Sequence, residues 1–194
     1  MTEIRSAISS PHISRLSEPH HRYDSMSITL HWLMAIMILL DWLIGQGRDF
    51  AAPGAARAGV LSWHMLFGIA IGAILVARVA WRVSAGRRFA AEPGPLRQAA
   101  IAGHIGLYAL MAATVLAGLA AAMIRGTPIF GFVLPELAPR AVFYPLAELH
   151  SAFANLLGLL AAVHAVAALG HHFVLRDRVL VRMAPFLPSW LRVE

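Results

Sequence analysis

The sequence predicts an all-α integral membrane protein, a four-helix bundle with both termini on the cytoplasmic side. Three observations predict it. Charged residues make up only 13% of the 194, where a soluble domain carries about 25%. Four separate runs stay apolar over the roughly 20 residues that a helix needs to cross the hydrocarbon core. The arginines crowd into alternate connections between those runs. A mean hydropathy of +0.67 agrees.

Residues 1–27 read as a flexible polar tail, "MTEIRSAISSPHISRLSEPHHRYDS" and onward, without the apolar core of a cleavable signal peptide. The first span, about Ile28 to Gly45, is then expected to act as an uncleaved signal-anchor. The second runs from about Leu61 to Val83, the third from about Ala99 to Ile124, and the fourth from about Leu149 to Leu175. Residues 28–175 thus form the membrane domain, and residues 176–194 a C-terminal tail. Backbone groups in lipid must be satisfied internally, and these runs lack the alternation of barrel strands, so helices are expected. Gly and Pro gather in the connections, as in "SAGRRFAAEPGPL" and "RGTPIFGFVLPELAPRAVFYP".

There is no lysine, so all 16 basic residues are arginines. Arg5, Arg15, Arg22, Arg82, Arg87, Arg88, Arg97, Arg176, Arg178, Arg182 and Arg192 fall on one side of the four spans. Arg48, Arg57, Arg125 and Arg140 fall on the other. The positive-inside rule then places both termini in the cytoplasm and the first and third connections outside. A pI near 11.2 would also suit nucleic acid, but arginines confined to short loops are topological signals, and no nucleic-acid partner is expected. The absence of cysteine excludes disulfides, thiolate metal sites, iron–sulfur clusters and covalent haem attachment.

Orientation gives each histidine a depth. His64 and His150 lie near the periplasmic side, one at the start of the second span and one at the start of the fourth. His31 lies near the cytoplasmic start of the first span. His164 follows His150 by fourteen residues, about 21 Å deeper and nearly on the same helical face, and His171 follows seven residues later. The periplasmic layer therefore holds His64 and His150. The cytoplasmic layer holds His31 and His164, with His104 and His171 close by. Two layers, each with imidazoles from two helices, are what two bis-histidine haems require. Zinc would want three or four ligands at one depth, which only the cytoplasmic layer offers. A histidine in a membrane helix can also serve as an interhelical hydrogen-bonding group. His12, His20 and His21 read as solvated tail residues, and His172 as interfacial.

Arg78 follows His64 by fourteen residues, on the same face at the cytoplasmic layer. An arginine there either pairs with carboxylates such as haem propionates or snorkels to the interface. Gly68 and Gly72 make a small-residue stripe that admits a macrocycle or a neighbouring helix. Trp32, Trp63, Trp81 and Tyr144 sit near span ends, as aromatic belts do.

These residues resemble a known family, the prokaryotic cytochrome b561 family of four-helix membrane cytochromes, from about Tyr23 to Pro185. "LHWLM" resembles its opening signature. "HMLFG" stands where His-Lys-Ser-x-Gly is usual, and "GHIGLYALM" resembles its His-x-x-x-Tyr. The stretch "LHSAFANLLGLLAAVHAVAALGHHFVLRDRVLVRMAP" resembles its last span nearly throughout. The resemblance implies a cytochrome b domain in the bacterial inner membrane with two haem b groups, ligated by His31, His64, His150 and His164. It further implies electron transfer with quinone, and in one branch a superoxide oxidase that passes electrons from periplasmic superoxide to ubiquinone. His171 matches the position associated with quinone, where a histidine can hydrogen-bond a carbonyl and relay a proton.

Superoxide could be steered by Arg48, Arg57, Arg125 and Arg140, although Asp49, Glu136 and Glu148 on the same side offset them. Two alternatives stay open. One is a cytochrome b subunit that exchanges electrons with a partner dehydrogenase or hydrogenase. The other is a haem-free four-helix transporter or anchor. The long third connection offers a docking surface to a partner redox protein, and the sequence carries no specific signal for a homodimer; both stay open.

Overall fold

Each apolar run forms a helix, and nearly every helix outlasts its run. The computed structural model describes residues 23–85, 96–133, 139–177, 179–186 and 188. Within them α1 spans Ser25–Gly47, α2 Ala55–Ser84, α3 Leu96–Arg125 and α4 Phe143–Phe173, followed by a short α5, Val179–Met183. All four long helices are apolar and long enough to cross a membrane. The 30 residues of α2 reach about 45 Å, beyond the ~30 Å of a hydrocarbon core. The tail histidines His12, His20 and His21, the arginines Arg5, Arg15, Arg22, Arg87, Arg88, Arg178 and Arg192, and Glu136 lie outside the described residues.

Local chemistry sets the ends. Asp24 caps α1, accepting from the Ser27 amide at 2.9 Å and from the Ser27 hydroxyl at 2.8 Å. α2 begins six residues before its apolar run because "AARAG" is helix-permissive, and Arg57 ties that start to the Ala51 carbonyl at 3.1 Å. Pro145 falls in the first turn of α4, where a missing amide hydrogen costs nothing. The third connection contains a hairpin that the apolar pattern did not announce. Pro128–Ile129 (β1) pairs antiparallel with Phe132–Val133 (β2). Its two turn residues, Phe130 and Gly131, have φ of 46° and 91°, the signs a type I′ turn needs.

The bundle has two ends. The start of α1 and α5 share one, here called proximal; the hairpin marks the other, distal. At the proximal end the Trp81 indole donates to Asp24 at 2.8 Å, and the Trp32 indole donates to the Met183 carbonyl at 2.8 Å. These two tryptophans are therefore interhelical ties as well as end markers. At the distal end the Phe130 amide donates to the Ser62 hydroxyl at 3.2 Å, and Trp63 meets Phe130 edge-on.

α3 packs most extensively on α4 and α1 on α2, whereas the backbones of α1 and α4 stay further apart and meet through side chains, Trp42 and Gln46 donating to Asn155 Oδ1 at 3.2 and 2.8 Å. Met34, Ile71, Leu75, Met111 and Leu157 form the buried core at mid-depth. Leu157 stands seven residues from His150 and seven from His164, so this core lies between the two histidine layers. Outward-facing residues such as Leu39, Val76, Leu116 and Val166 are exposed and apolar, as a lipid-facing surface requires.

Candidate functional site

The distal layer brings His64 of α2 and His150 of α4 opposite each other, their ring centroids 5.8 Å apart and their planes at 70°. Two metal–imidazole bonds of about 2 Å, plus the distance from each nitrogen to its ring centre, put a bis-imidazole pair roughly 6 Å apart. His150 Nδ1 lies 2.9 Å from the Thr114 carbonyl. That oxygen can only accept, so Nδ1 carries the ring proton and Nε2 keeps a free lone pair. His64 Nδ1 lies 2.7 Å from Asp41 Oδ1. The ring N–H is not aligned with that oxygen, which makes this a charge contact at close range rather than a well-formed hydrogen bond.

Around these rings the chain has removed side chains. A Cβ at Gly118 would stand 2.8 Å from His150 Cε1, and one at Gly45 would stand 3.3 Å from His64 Cε1. A cavity of about 650 Å³ opens here, lined from all four helices and including His64, His150, Gly45, Gly68 and Gly118. Ligand sites run from about 300 to 1,000 Å³. Gly72 also lines it, but a Cβ there would meet Val115 Cγ1 at 3.1 Å, so this glycine serves the approach of α3.

The proximal layer brings together His31, His104 and His164. His31 and His164 are 6.4 Å apart by ring centroid, His104 and His164 5.3 Å. His104 Nδ1 lies 2.7 Å from the Ala100 carbonyl on its own helix. Among the described residues, no group of three or more His, Cys, Asp or Glu side chains is arranged to hold a metal ion alone. Arg78 reaches this layer, as its spacing predicts. Its Nε donates to the Tyr108 hydroxyl at 2.9 Å, and a terminal nitrogen lies 3.2 Å from His31 Nδ1. A guanidinium has no acceptor, so His31 accepts through Nδ1 and carries its proton on Nε2. Ligation through Nε2 therefore requires Arg78 to release that ring.

At the proximal surface His171 Nδ1 lies 2.5 Å from Asp177 Oδ2, and the Val179 amide donates to Asp177 Oδ1 at 3.0 Å. His172 departs from expectation. It is 2% exposed, the most buried large side chain among the described residues, and its Nδ1 has no hydrogen-bond partner there. α5 packs back on α4, so a position that looks interfacial on an isolated helix is not at the surface. Asp41, 8% exposed, is a further polar residue of the distal layer, one not among the residues expected from the sequence. A carboxylate inside "ILLDWLIG" is itself a signal, since ionisable residues in lipid are costly and usually functional.

Of the residues expected to steer an anion, Arg48 is paired with Asp49 at 3.4 Å. Arg57 is engaged by backbone carbonyls. Arg125 lies over the Phe143 ring at 5.1 Å. Arg48 and Arg125 do line the cavity, but so do Asp49 and Glu148.

Residues 22–186 match the family described as prokaryotic cytochrome b561. The chain belongs to that family. Its cytochrome b561 relatives include a protein of Yersinia pestis named probable superoxide oxidase CybB, 30% identical over 172 residues, which cover 86% of this chain and 97% of that one. Cytochrome b561 homolog 2 of Escherichia coli (strain K12) is 32% identical over 185 residues, 84% of this chain and 90% of its own. Cytochrome b562 of Cereibacter sphaeroides is 29% identical over 167 residues, covering 83% and 94%. This cytochrome b561 is thus a bacterial membrane cytochrome, and the family implies haem b. The distal layer fits that group: two facing imidazoles at ligation spacing, an Nε2 free on His150, and glycines where side chains would fill the space. The proximal pair has the spacing and needs Arg78 to move.

Proposed function

We propose that this chain is a di-haem cytochrome of the bacterial inner membrane that takes electrons from periplasmic superoxide and delivers them to ubiquinone. Residues 28–175 are the cytochrome domain, and the tails 1–27 and 176–194 lie in the cytoplasm, so the distal end faces the periplasm. The observation that carries this reading is the pairing of imidazoles from different helices at two depths, with an apolar core between. His64 and His150 would hold the distal haem, His31 and His164 the proximal one. Haem, when bound, supplies one-electron redox chemistry.

The net reaction balances without a further reagent. Two superoxide anions each lose one electron and become dioxygen, while ubiquinone gains two electrons and two protons and becomes quinol. The name borne by the Yersinia relative supports superoxide as the donor.

The chain's own groups have separable tasks. The Thr114 carbonyl holds His150 with Nε2 open. Arg78 supplies a cation at the proximal layer that can bind a propionate. His171, with Nδ1 engaged by Asp177, can take a second proton on Nε2 and donate it to a quinone carbonyl.

The test uses purified protein alone: haem-to-protein ratio, and ubiquinone reduction driven by a superoxide source. Two haems and superoxide-dependent quinol are expected. A ratio of one ends the two-layer assignment. Reduction that appears only with an added dehydrogenase points instead to a subunit serving a partner protein.

A further inference from the structure

We infer that Asp41 is the positioning residue of His64, fixing its ring so that Nε2 is free for iron and setting the distal haem at a lower potential than the proximal one. The inference rests on the proposed role of His64 as a distal ligand.

Asp41 is buried toward the distal end of the apolar helix α1, and among the described residues its one ion-pair contact is His64 Nδ1. A carboxylate there is expensive to keep in the absence of a partner. Asp41 and Gly45 are four residues apart, on one face of α1. The carboxylate meets His64 at Nδ1, and the missing side chain of Gly45 leaves room at Cε1, where a Cβ would come within 3.3 Å. One face of α1 is therefore shaped to this ring at two points. With the carboxylate 2.7 Å from Nδ1, that nitrogen is the one favoured to carry the ring proton, which leaves Nε2 free.

The two distal imidazoles are supported unequally. His150 faces a neutral carbonyl, that of Thr114, while His64 faces a carboxylate. A carboxylate partner raises the basicity of a ligating imidazole. A more basic ligand favours the oxidised iron and lowers the potential. At the proximal layer the nearby charge is the opposite one, the Arg78 guanidinium, anchored on Tyr108; after it releases His31 for ligation it still stands beside that layer and favours the reduced state. Arg48, Asp49, Arg125 and Glu148 also line the distal cavity, two of each sign, so the buried Asp41 against Arg78 orders the two potentials and an electron runs downhill from the distal end to the proximal end.

The experiment is a potentiometric titration of the visible haem band with haem-to-protein ratios, on wild type, Asp41→Asn and Asp41→Glu. His64→Ala identifies the distal wave as the one it abolishes. In wild type that wave should be the lower of two. Asp41→Asn should keep both haems, shift the distal wave upward and leave the proximal wave in place, with Asp41→Glu close to wild type. Two bound haems with unmoved waves in Asp41→Asn, or equal shifts of both, would overturn the inference. If Asp41→Asn loses the distal haem, Asp41→Glu decides: recovery of a low-potential haem supports the role, and continued loss refutes it. Failure of the underlying reading looks different, as a wild type with fewer than two haems or a His64→Ala variant that keeps both waves.

Discussion

Gly118 and His150 are matched across the α3–α4 interface: a Cβ on the glycine would stand 2.8 Å from Cε1 of the imidazole. The ring is held there by the Thr114 carbonyl, one turn earlier on α3, so it cannot retreat without losing that bond. Overpacking of this kind costs about 1–3 kcal/mol. Gly118→Ala should therefore lower the haem-to-protein ratio through loss of distal haem, while the proximal spectrum stays. Gly103→Ala on the same helix is the control. A Cβ there meets nothing within 4 Å, and Ala is better than Gly in a helix by about 1 kcal/mol. Equal haem contents in the two variants would show that Gly118 is not making room for the ring.

Three imidazoles crowd the proximal layer, and substitution separates their roles. His104 is exposed and tied to its own backbone at Ala100, whereas His31 and His164 face each other from α1 and α4. Alanine at His31 or His164 should remove one haem of two, measured by reduced-minus-oxidised spectra. Alanine at His104 should keep both. Loss of a haem from His104→Ala with retention in His31→Ala would reassign the pair.

Much of this was legible in the residues, for identifiable reasons. Hydropathy marks where a helix must exist in lipid, so all four long helices were visible. It says nothing about helix ends built from Ala, Arg and a first-turn Pro, so the starts of α2 and α4 were placed late. Depth along a helix follows from residue counting, and that put His64 with His150 and His31 with His164. Contacts made by returning chain do not follow from counting. α5 packs against α4 and ties to Trp32, which is why His172 looks interfacial in the sequence although it is buried. The hairpin at Pro128–Val133 is too short for any period to register. Asp41 was legible in principle, as a charge in an apolar run, but its partner lies 23 positions away, on another helix.

Arg78 bridges Tyr108 and His31, and its charge should matter apart from its shape. Arg78→Gln removes the cation beside the proximal layer, so the proximal haem should move to lower potential while the distal one stays. Arg78→Lys keeps the charge but not the planar fork, and should fall between. Potentials that do not respond to the loss of charge would leave Arg78 as a packing residue only.

His171 and Asp177 provide the last test, because their contact has a definite pH dependence. Partial burial pushes the Asp177 carboxyl up. Hydrogen bonds from His171 and the Val179 amide outweigh that and hold it below the usual carboxylate range. A depressed folded value means that the contact's contribution is full above the unfolded carboxylate pKa of about 3.9 and is lost as pH falls through the folded value. Asp177 should thus contribute no titration to quinone reduction between about pH 5 and 8. His171→Leu should leave both haems in place and slow quinone reduction by about 100-fold or more, the usual scale for losing a general acid–base group. Asp177→Leu should slow it less, since the imidazole remains and loses only its orientation. Wild-type turnover in His171→Leu would remove this histidine from the quinone site. An acid limb above pH 5 that Asp177→Leu abolished would show that the carboxylate is not held ionised as its hydrogen bonds require.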